Sequence, residues 1–335
     1  MLSDLPFMEK IVIIGGGIAG VAAKTYNRDA MLVEKSELMT VFPRLIDVAS
    51  GMDQKFAVIK RNADVYDEVM DIDFKNRKVI TKKRKIGYDK LIVALGKSQN
   101  YSFLKGKQYI YPMAQLSDAI KLRDSIKNAK NLTIIGGGYL GVELAGSLHG
   151  VNIKIIEAGK RLLQGLKNEY HEIALKKLSE LGVDVLFNTK VIEVKKDSII
   201  TDAGDFKSDV SVFAGGLTGN LLLNDLDITT LNSKIVVDSY LRSVDYDDVY
   251  ACGDSMAIKN TFTPMSAIIA RSSGIRAMAN AMGEDLEYKP NNFANIIRVG
   301  NYYFGDFFNY RVNGFIARMI KESGIAISIN YAKML

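Results

Sequence analysis

The 335-residue chain is poor in several residues that would otherwise define its chemistry: one cysteine (Cys252), no tryptophan, two histidines and five prolines. A single cysteine excludes an internal disulfide and any Cys-x-x-Cys redox pair, and it fits a reducing, cytoplasmic setting. With His149 and His171 as the only histidines, no metal site is expected. No run of about 18–20 apolar residues is present, which argues against a membrane-spanning helix. Met1 to Lys10 carries acids and no apolar core, so it does not read as a secretory signal. No low-complexity linker interrupts the chain, and domain boundaries must come from the order of motifs. Nucleic-acid motifs are absent too. The net charge of +6 is spread along the chain. Its one concentration, Lys82-Lys83-Arg84-Lys85, reads as a solvated hairpin turn. A basic surface also suits an anionic membrane face, at about 1 kcal/mol per well-placed cation.

What the chain does have, it has twice. Ile13-Ile14-Gly15-Gly16-Gly17-Ile18-Ala19-Gly20 returns as Ile134-Ile135-Gly136-Gly137-Gly138-Tyr139-Leu140-Gly141. Each copy is an apolar strand running into G-x-G-x-x-G and then a small-residue helix. The first glycine makes the tight turn, the second lets the backbone approach a pyrophosphate, and the third allows close helix–strand packing. Each copy is followed by a second strand ending in an acid, Glu34 (with Lys35 beside it) and Glu157. Both acids lie about 20 residues after the first motif glycine, where a carboxylate bonds an adenosine ribose. Glu157 favours NADH over NADPH, because it bonds a 2′-hydroxyl and repels a 2′-phosphate. Lys160 and Arg161, which would hold that phosphate in the alternative case, read as solvated loop cations. Two dinucleotides in one chain imply electron transfer between them.

With Ala94-Leu95-Gly96 in the place of an Ala-Thr-Gly turn, and Val249 to Asp254 as a late strand ending in Gly-Asp, the chain resembles the FAD-dependent pyridine nucleotide-disulfide oxidoreductase superfamily. A narrower resemblance is to type II NADH dehydrogenases, the single-subunit NADH:quinone oxidoreductases. It rests on Phe42-Pro43-Arg44-Leu45-Ile46-Asp47-Val48-Ala49-Ser50-Gly51, on Tyr88 to Gly96 followed by Asn100-Tyr101, and on Gly138-Tyr139-Leu140-Gly141-Val142-Glu143-Leu144-Ala145-Gly146. Arg44 and Asp47 depart from that family's pattern. The resemblance covers about residues 10 to 285. It implies FAD at Gly15, Gly17, Ile18, Ala19, Gly20, Glu34, Lys35, Arg44, Ala94, Leu95, Gly96, Gly253, Asp254, Ser266 and Ala267, with Asp254 on the ribityl chain. NAD would lie on Gly136, Gly138, Tyr139, Leu140, Gly141, Glu157, Gly215 and Gly216. Glu143, taken as a first-turn acid of the second nucleotide helix, is the candidate catalytic residue near nicotinamide and flavin. The plainer readings are a helix-capping acid for Glu143 and a turn cap for Asp254. Relatives often carry Ala-Gln-x-x-Ala-Gln beside the quinone; here Ser266-Ala267-Ile268-Ile269-Ala270-Arg271 stands instead, leaving Ala270 and Arg271 on the acceptor side.

The expected fold is α/β, with two Rossmann-like dinucleotide-binding domains, the second inserted in the first, and a small C-terminal module. The boundaries read as 1–107 and 221–289 for the FAD domain, 108–220 for the NAD(H) domain and 290–335 for the module. Tyr302 to Tyr310 is dense in aromatics, and Gly314 to Leu335 is amphipathic. This tail is expected to contact a membrane's cytoplasmic face or a partner; packing on the flavin domain, or a homodimer face, is the alternative. The reading is thus an FAD-dependent NADH dehydrogenase passing electrons to a quinone. A soluble reductase of a ferredoxin- or rubredoxin-type protein or of oxygen is the second reading, and a flavin-binding regulatory protein the third.

Overall fold

The computed structural model describes residues 9–334. Two parallel five-stranded sheets repeat one plan. In the first, the strand order is Val249–Ala251, Lys90–Val93, Ile11–Ile14, Met31–Glu34 and Val65–Tyr66. Helix α1 (Ile18–Tyr26) leaves the central strand, and α2 (Arg44–Ala49) follows beyond the second. The second sheet runs Ile110–Tyr111, Val210–Phe213, Asn131–Ile135, Asn152–Ile156 and Asp184–Leu186. Its helices are α3 (Leu116–Ile126), α4 (Tyr139–Ser147), which leaves the central strand as α1 does, and α5 (Asn168–Glu180). Ile11–Ile14 and Val210–Phe213 are buried throughout, as expected of parallel strands covered on both faces.

The chain crosses between the sheets twice, and the crossings pair with each other. Lys97–Ser98, leaving the first sheet, is antiparallel to Thr218–Gly219, returning from the second. Gln99 locks the junction from a buried position, donating to the Phe213 carbonyl at 3.0 Å and accepting the Met113 amide at 2.8 Å. The sequence suggests one strand over 86–95, yet it breaks into Lys85–Gly87 and Lys90–Val93. At the break the Asp89 carboxylate takes the Lys10 amide at 2.7 Å, turning the chain from a three-stranded meander into the parallel sheet.

Helix α6 (Ala267–Ala281) lies against α1 at very short range. A Cβ on Gly274 would fall 2.1 Å from the Ala19 carbonyl oxygen, so glycine here is a packing requirement. The aromatic stretch forms an antiparallel sheet, Ala294–Val299, Tyr302–Phe307 and Tyr310–Asn313, followed by α7 (Gly314–Ala332). Ile297, Val299 and Phe304 enter the core formed around Leu144, Ala145 and Leu148 of the second sheet's layer. Further along, Ile325 and Ala332 of α7 pack with Met39, Val41 and Ile59, beside the first sheet. The tail therefore bridges both nucleotide-binding halves, a more central place than the sequence suggests. Tyr310, Phe315 and Ile316 nevertheless stay largely exposed, at 78%, 74% and 62%.

Two glycines in helices should respond to alanine with opposite signs. Gly274→Ala should lose about 1–3 kcal/mol through overpacking against α1. Gly324→Ala in α7, where a Cβ meets nothing within 4 Å, should gain about 0.5–1 kcal/mol from helix propensity. Urea midpoints at unchanged m-value measure both.

Candidate active site

The two glycine turns are superimposable in their logic. Gly15 (φ +94°) and Gly136 (φ +109°) sit where a Cβ would fall 2.3 Å from the Ala94 carbonyl oxygen and 2.6 Å from the Gly215 Cα. A Cβ on Gly20 or Gly141 would lie 1.8 or 2.0 Å from the carbonyl oxygen of the motif's own first glycine. At Gly17 and Gly138 the same construction meets nothing within 4 Å. These two glycines are the N-caps of α1 and α4; neither has a side-chain cap, and neither helix carries an acid in its first turn. The first-turn amides, including those of Ile18, Ala19, Tyr139 and Leu140, thus head an open cradle. Uncapped helix amides and the positive end of the helix dipole favour a phosphate there.

Each acid that closes a second strand holds its turn in the same way. Glu34 accepts the Gly16 amide at 2.5 Å and the Lys35 amide at 2.8 Å, while the Lys35 side chain is exposed. Glu157 accepts the Gly137 amide at 2.7 Å and the Gly159 amide at 2.6 Å, and Gln164 adds a bond at 3.1 Å. Arg61, unremarked in the sequence, supports the first turn only. Its guanidinium is buried, pairs with Glu34 at 3.0 Å, and leaves Nε without a partner. A buried, unmatched donor beside an open glycine cradle suits an acceptor-rich ligand such as the ADP half of FAD.

Across the first sheet, the Ala94-Leu95-Gly96 turn and the Gly253-Asp254 turn are stitched together. The Gly96 amide donates to Ser255 Oγ at 2.9 Å, the Gly253 amide to Ser273 Oγ at 2.9 Å, and Asn220 Nδ2 to the Leu95 carbonyl at 3.1 Å. Both turns leave the carboxyl ends of parallel strands, where open α/β sheets bind ligands. Ser266 caps α6, accepting the Ile269 amide at 3.2 Å, with Ala267 exposed next to it. Ala270 is half-buried, and the exposed Arg271 lies 4.5 Å over the Tyr331 ring of α7. Gly215 and Gly216 are exposed at the end of their strand, with Gly215 against the Gly136 turn. Cys252 is fully buried, and burial pushes its thiol up to about 12, so it is not a reactive thiolate.

Two residues sit differently from the sequence reading. Helix α4 begins at Tyr139, which places Glu143 one turn in, and its charge is met by a lysine side chain and a backbone amide in place of the helix terminus. Glu143 is buried and accepts both the Lys321 ammonium and the Arg298 amide, the latter at 3.0 Å. Arg44 turns into ion pairs with Asp47 at 3.0 Å and Glu322 at 2.7 Å. Arg298 completes the group with a 2.7 Å pair to Asp47. Burial opposes the charge on Arg44 and Arg298, but their carboxylate partners outweigh it and hold both guanidinium pKa values above the ordinary one. Arg44, Asp47, Glu143, Arg298, Lys321 and Glu322 thus form one network joining α2, α4, the tail sheet and α7. The partners of Glu143 are too distant in sequence for any local pattern to reveal them.

Two Rossmann-type turns in tandem, each with its acid and its uncapped helix, define a two-dinucleotide oxidoreductase. The chain belongs to the pyridine nucleotide-disulphide oxidoreductase family, whose pattern matches residues 9–274. Among curated relatives it is 25% identical to a type II NADH:quinone oxidoreductase of Haemophilus influenzae, over 75% of this chain and 74% of that one. It is 30% identical to an NADH-rubredoxin oxidoreductase of Clostridium acetobutylicum, over 83% and 76%. Its fold is shared with NDH2 from Plasmodium falciparum in complex with NADH, at a TM-score of 0.83 and 18% identity over 97% of this chain and 96% of that one.

The Lys321–Glu143 pair should behave as a coupled unit. Lys321→Met should cost about 3 kcal/mol, since it strands a buried carboxylate. Lys321→Met combined with Glu143→Gln should cost less than the two single changes added together, by about 1–3 kcal/mol of coupling. Simple additivity in a denaturant double-mutant cycle contradicts the pairing.

Proposed function

We propose that this chain is an NADH:quinone oxidoreductase in which FAD on the first glycine turn receives reducing equivalents from NADH on the second. The observation that carries this reading is the pairing of two complete, open dinucleotide cradles with a sole cysteine buried just past the end of a strand. The chain has no disulfide of its own to relay electrons from a bound flavin. The bound flavin supplies the two-electron acceptor chemistry. The protein's part is placement. The amides at the head of α1 and α4 would hold the two pyrophosphates, and Glu34 and Glu157 would take the adenosine riboses. Asp254 would hold the ribityl hydroxyls, and Glu143 would set the nicotinamide end. Holding reacting atoms about 3–3.5 Å apart supplies much of the rate.

The acceptor side falls at the start of α6, where Ala270 and Arg271 lie beneath the end of α7. Next to them, Ile268, Ser272, Arg276, Tyr288 and Phe293 line an open cleft of about 540 Å³. On the outer face of α7, Phe315, Ile316 and Met319 are exposed beside the exposed Arg318. Apolar side chains flanked by cations suit contact with the cytoplasmic face of a quinone-bearing membrane, although no described helix is long and apolar enough to cross one.

A second reading keeps the flavin chemistry and changes the acceptor to a small acidic redox protein such as rubredoxin. It is favoured by the exposed Arg271 in place of a quinone-side glutamine and by the 30% identity to an NADH-rubredoxin oxidoreductase. Anaerobic NADH should bleach the bound flavin, and the reduced protein should then turn over a short-chain quinone at least about tenfold faster than rubredoxin, a barrier difference of about 1.4 kcal/mol. Faster turnover with rubredoxin selects the second reading. Flavin left unbleached by NADH contradicts both.

A further inference from the structure

Lys97 is a charged residue that the two glycine motifs do not explain. It follows the Ala94-Leu95-Gly96 turn, and its ammonium lies 3.5 Å over the Phe42 ring and 3.9 Å from the Asp254 carboxylate. Its side chain is only 23% exposed. Burial lowers the ammonium's pKa, while Asp254 counteracts the shift. Lys234 experiences the same two influences, so a single carboxylate answers two half-buried cations. Left over is positive charge in the crevice at the carboxyl ends of the first sheet.

The position of Lys97 along that crevice narrows what the charge is for. The open phosphate cradle is at Gly17, at the head of α1. Lys97 lies elsewhere, on the segment that crosses toward the second sheet, paired with Gly219 of the returning crossing. The ring beneath it, Phe42, packs on the core that contains Val142 and Leu144 of α4, on either side of Glu143. Lys97 is thus between Asp254 and the NADH-binding half. Going from the phosphate cradle past the ribityl-binding Asp254 toward the nicotinamide, the next part of an FAD is its ring system.

We propose that Lys97 is a flavin-tuning residue, a fixed ammonium that faces the isoalloxazine and stabilises its reduced, anionic form. The inference rests on the assignment of FAD to the first glycine turn. Two electrons and one proton pass from NADH to neutral FAD, leaving NAD+ and a reduced ring carrying one negative charge. A cation held in place by Phe42 and Asp254 interacts with that charge only after reduction, so it raises the flavin potential. The cation–π contact and the partial burial keep it from being screened as a surface lysine would be.

The test compares FAD-loaded wild type, Lys97→Met, Lys97→Gln and Lys97→Arg by anaerobic dye-equilibrium titration, with FAD dissociation constants measured in parallel. Methionine keeps the length and the contact with Phe42; glutamine covers the case in which it does not fold. At a fixed ambient potential, the reduced-to-oxidised ratio should fall about tenfold in Lys97→Met or Lys97→Gln, equivalent to about 30 mV for two electrons. Lys97→Arg should restore most of it, and the FAD dissociation constant should change by less than about threefold. An unchanged potential overturns the proposal, as does a large loss of FAD affinity at unchanged potential, which would assign Lys97 to the pyrophosphate. If the wild type binds no FAD, the underlying functional reading fails instead, so the two failures are distinguishable.

Discussion

Glu143 and Asp47 are buried carboxylates on different helices, and the C-terminal module supplies a cation to each. Glu143 belongs to α4, which begins at the second dinucleotide turn; Asp47 belongs to α2, which follows the first half's second strand in the chain and packs against α3 and α4. Arg298 pairs with Asp47 and gives its amide to Glu143, while Lys321 and Glu322, neighbours on α7, reach Glu143 and Arg44. Removing several charges from water is costly, and only mutual pairing offsets it. The arrangement satisfies its charges when α2, α4 and the tail stand in one relation. In a two-cofactor enzyme that relation matters, because hydride transfer requires two separately bound rings to meet at van der Waals distance.

The duplicated sheets account for how such an enzyme is built from one local solution used twice. Each half solves the same problem, bringing a helix terminus and a carboxylate to a dinucleotide, with the first and third glycines fixed by backbone contacts and the second left open. The halves then diverge in what surrounds the turn. Arg61 and Lys97 add positive charge to the first, where an FAD would stay, whereas the second has Gln164 in the corresponding contact with its acid. A permanently held cofactor and an exchanging substrate call for that difference. The first turn's helix is covered by α6 through Gly274, whereas α4 is buried from Gly141 to Ser147 with the tail sheet among its neighbours.

Much of this was legible in the sequence because glycine turns and apolar strands are local signals. The two motifs, their acids and helices over 116–128 and 169–181 follow from local spacing, and the structure sets those helices at Leu116–Ile126 and Asn168–Glu180. The late Gly-Asp turn was visible for the same reason. What escaped were contacts between residues far apart in the chain. Lys321 and Glu143 carry no sequence mark of their pairing, and a lysine in an amphipathic tail looks like any solvated cation. Arg44 was assigned to FAD by resemblance, yet its two carboxylate partners direct it elsewhere. The aromatic stretch invited a reading as an interaction surface; Phe304 and Tyr303 are instead buried between sheet and helices, with exposure concentrated at Tyr310, Phe315 and Ile316.

The tail is an integral part of the enzyme, tying the two dinucleotide-binding halves into one cooperative body. Native-state amide hydrogen exchange tests it directly. The amides of α7 around Lys321 should exchange through the same opening as those of α4 and the central strands, with opening free energies within about 1 kcal/mol of the global value. Exchange of α7 through a separate opening several kcal/mol lower, while α4 and the strands stay protected, would contradict the account.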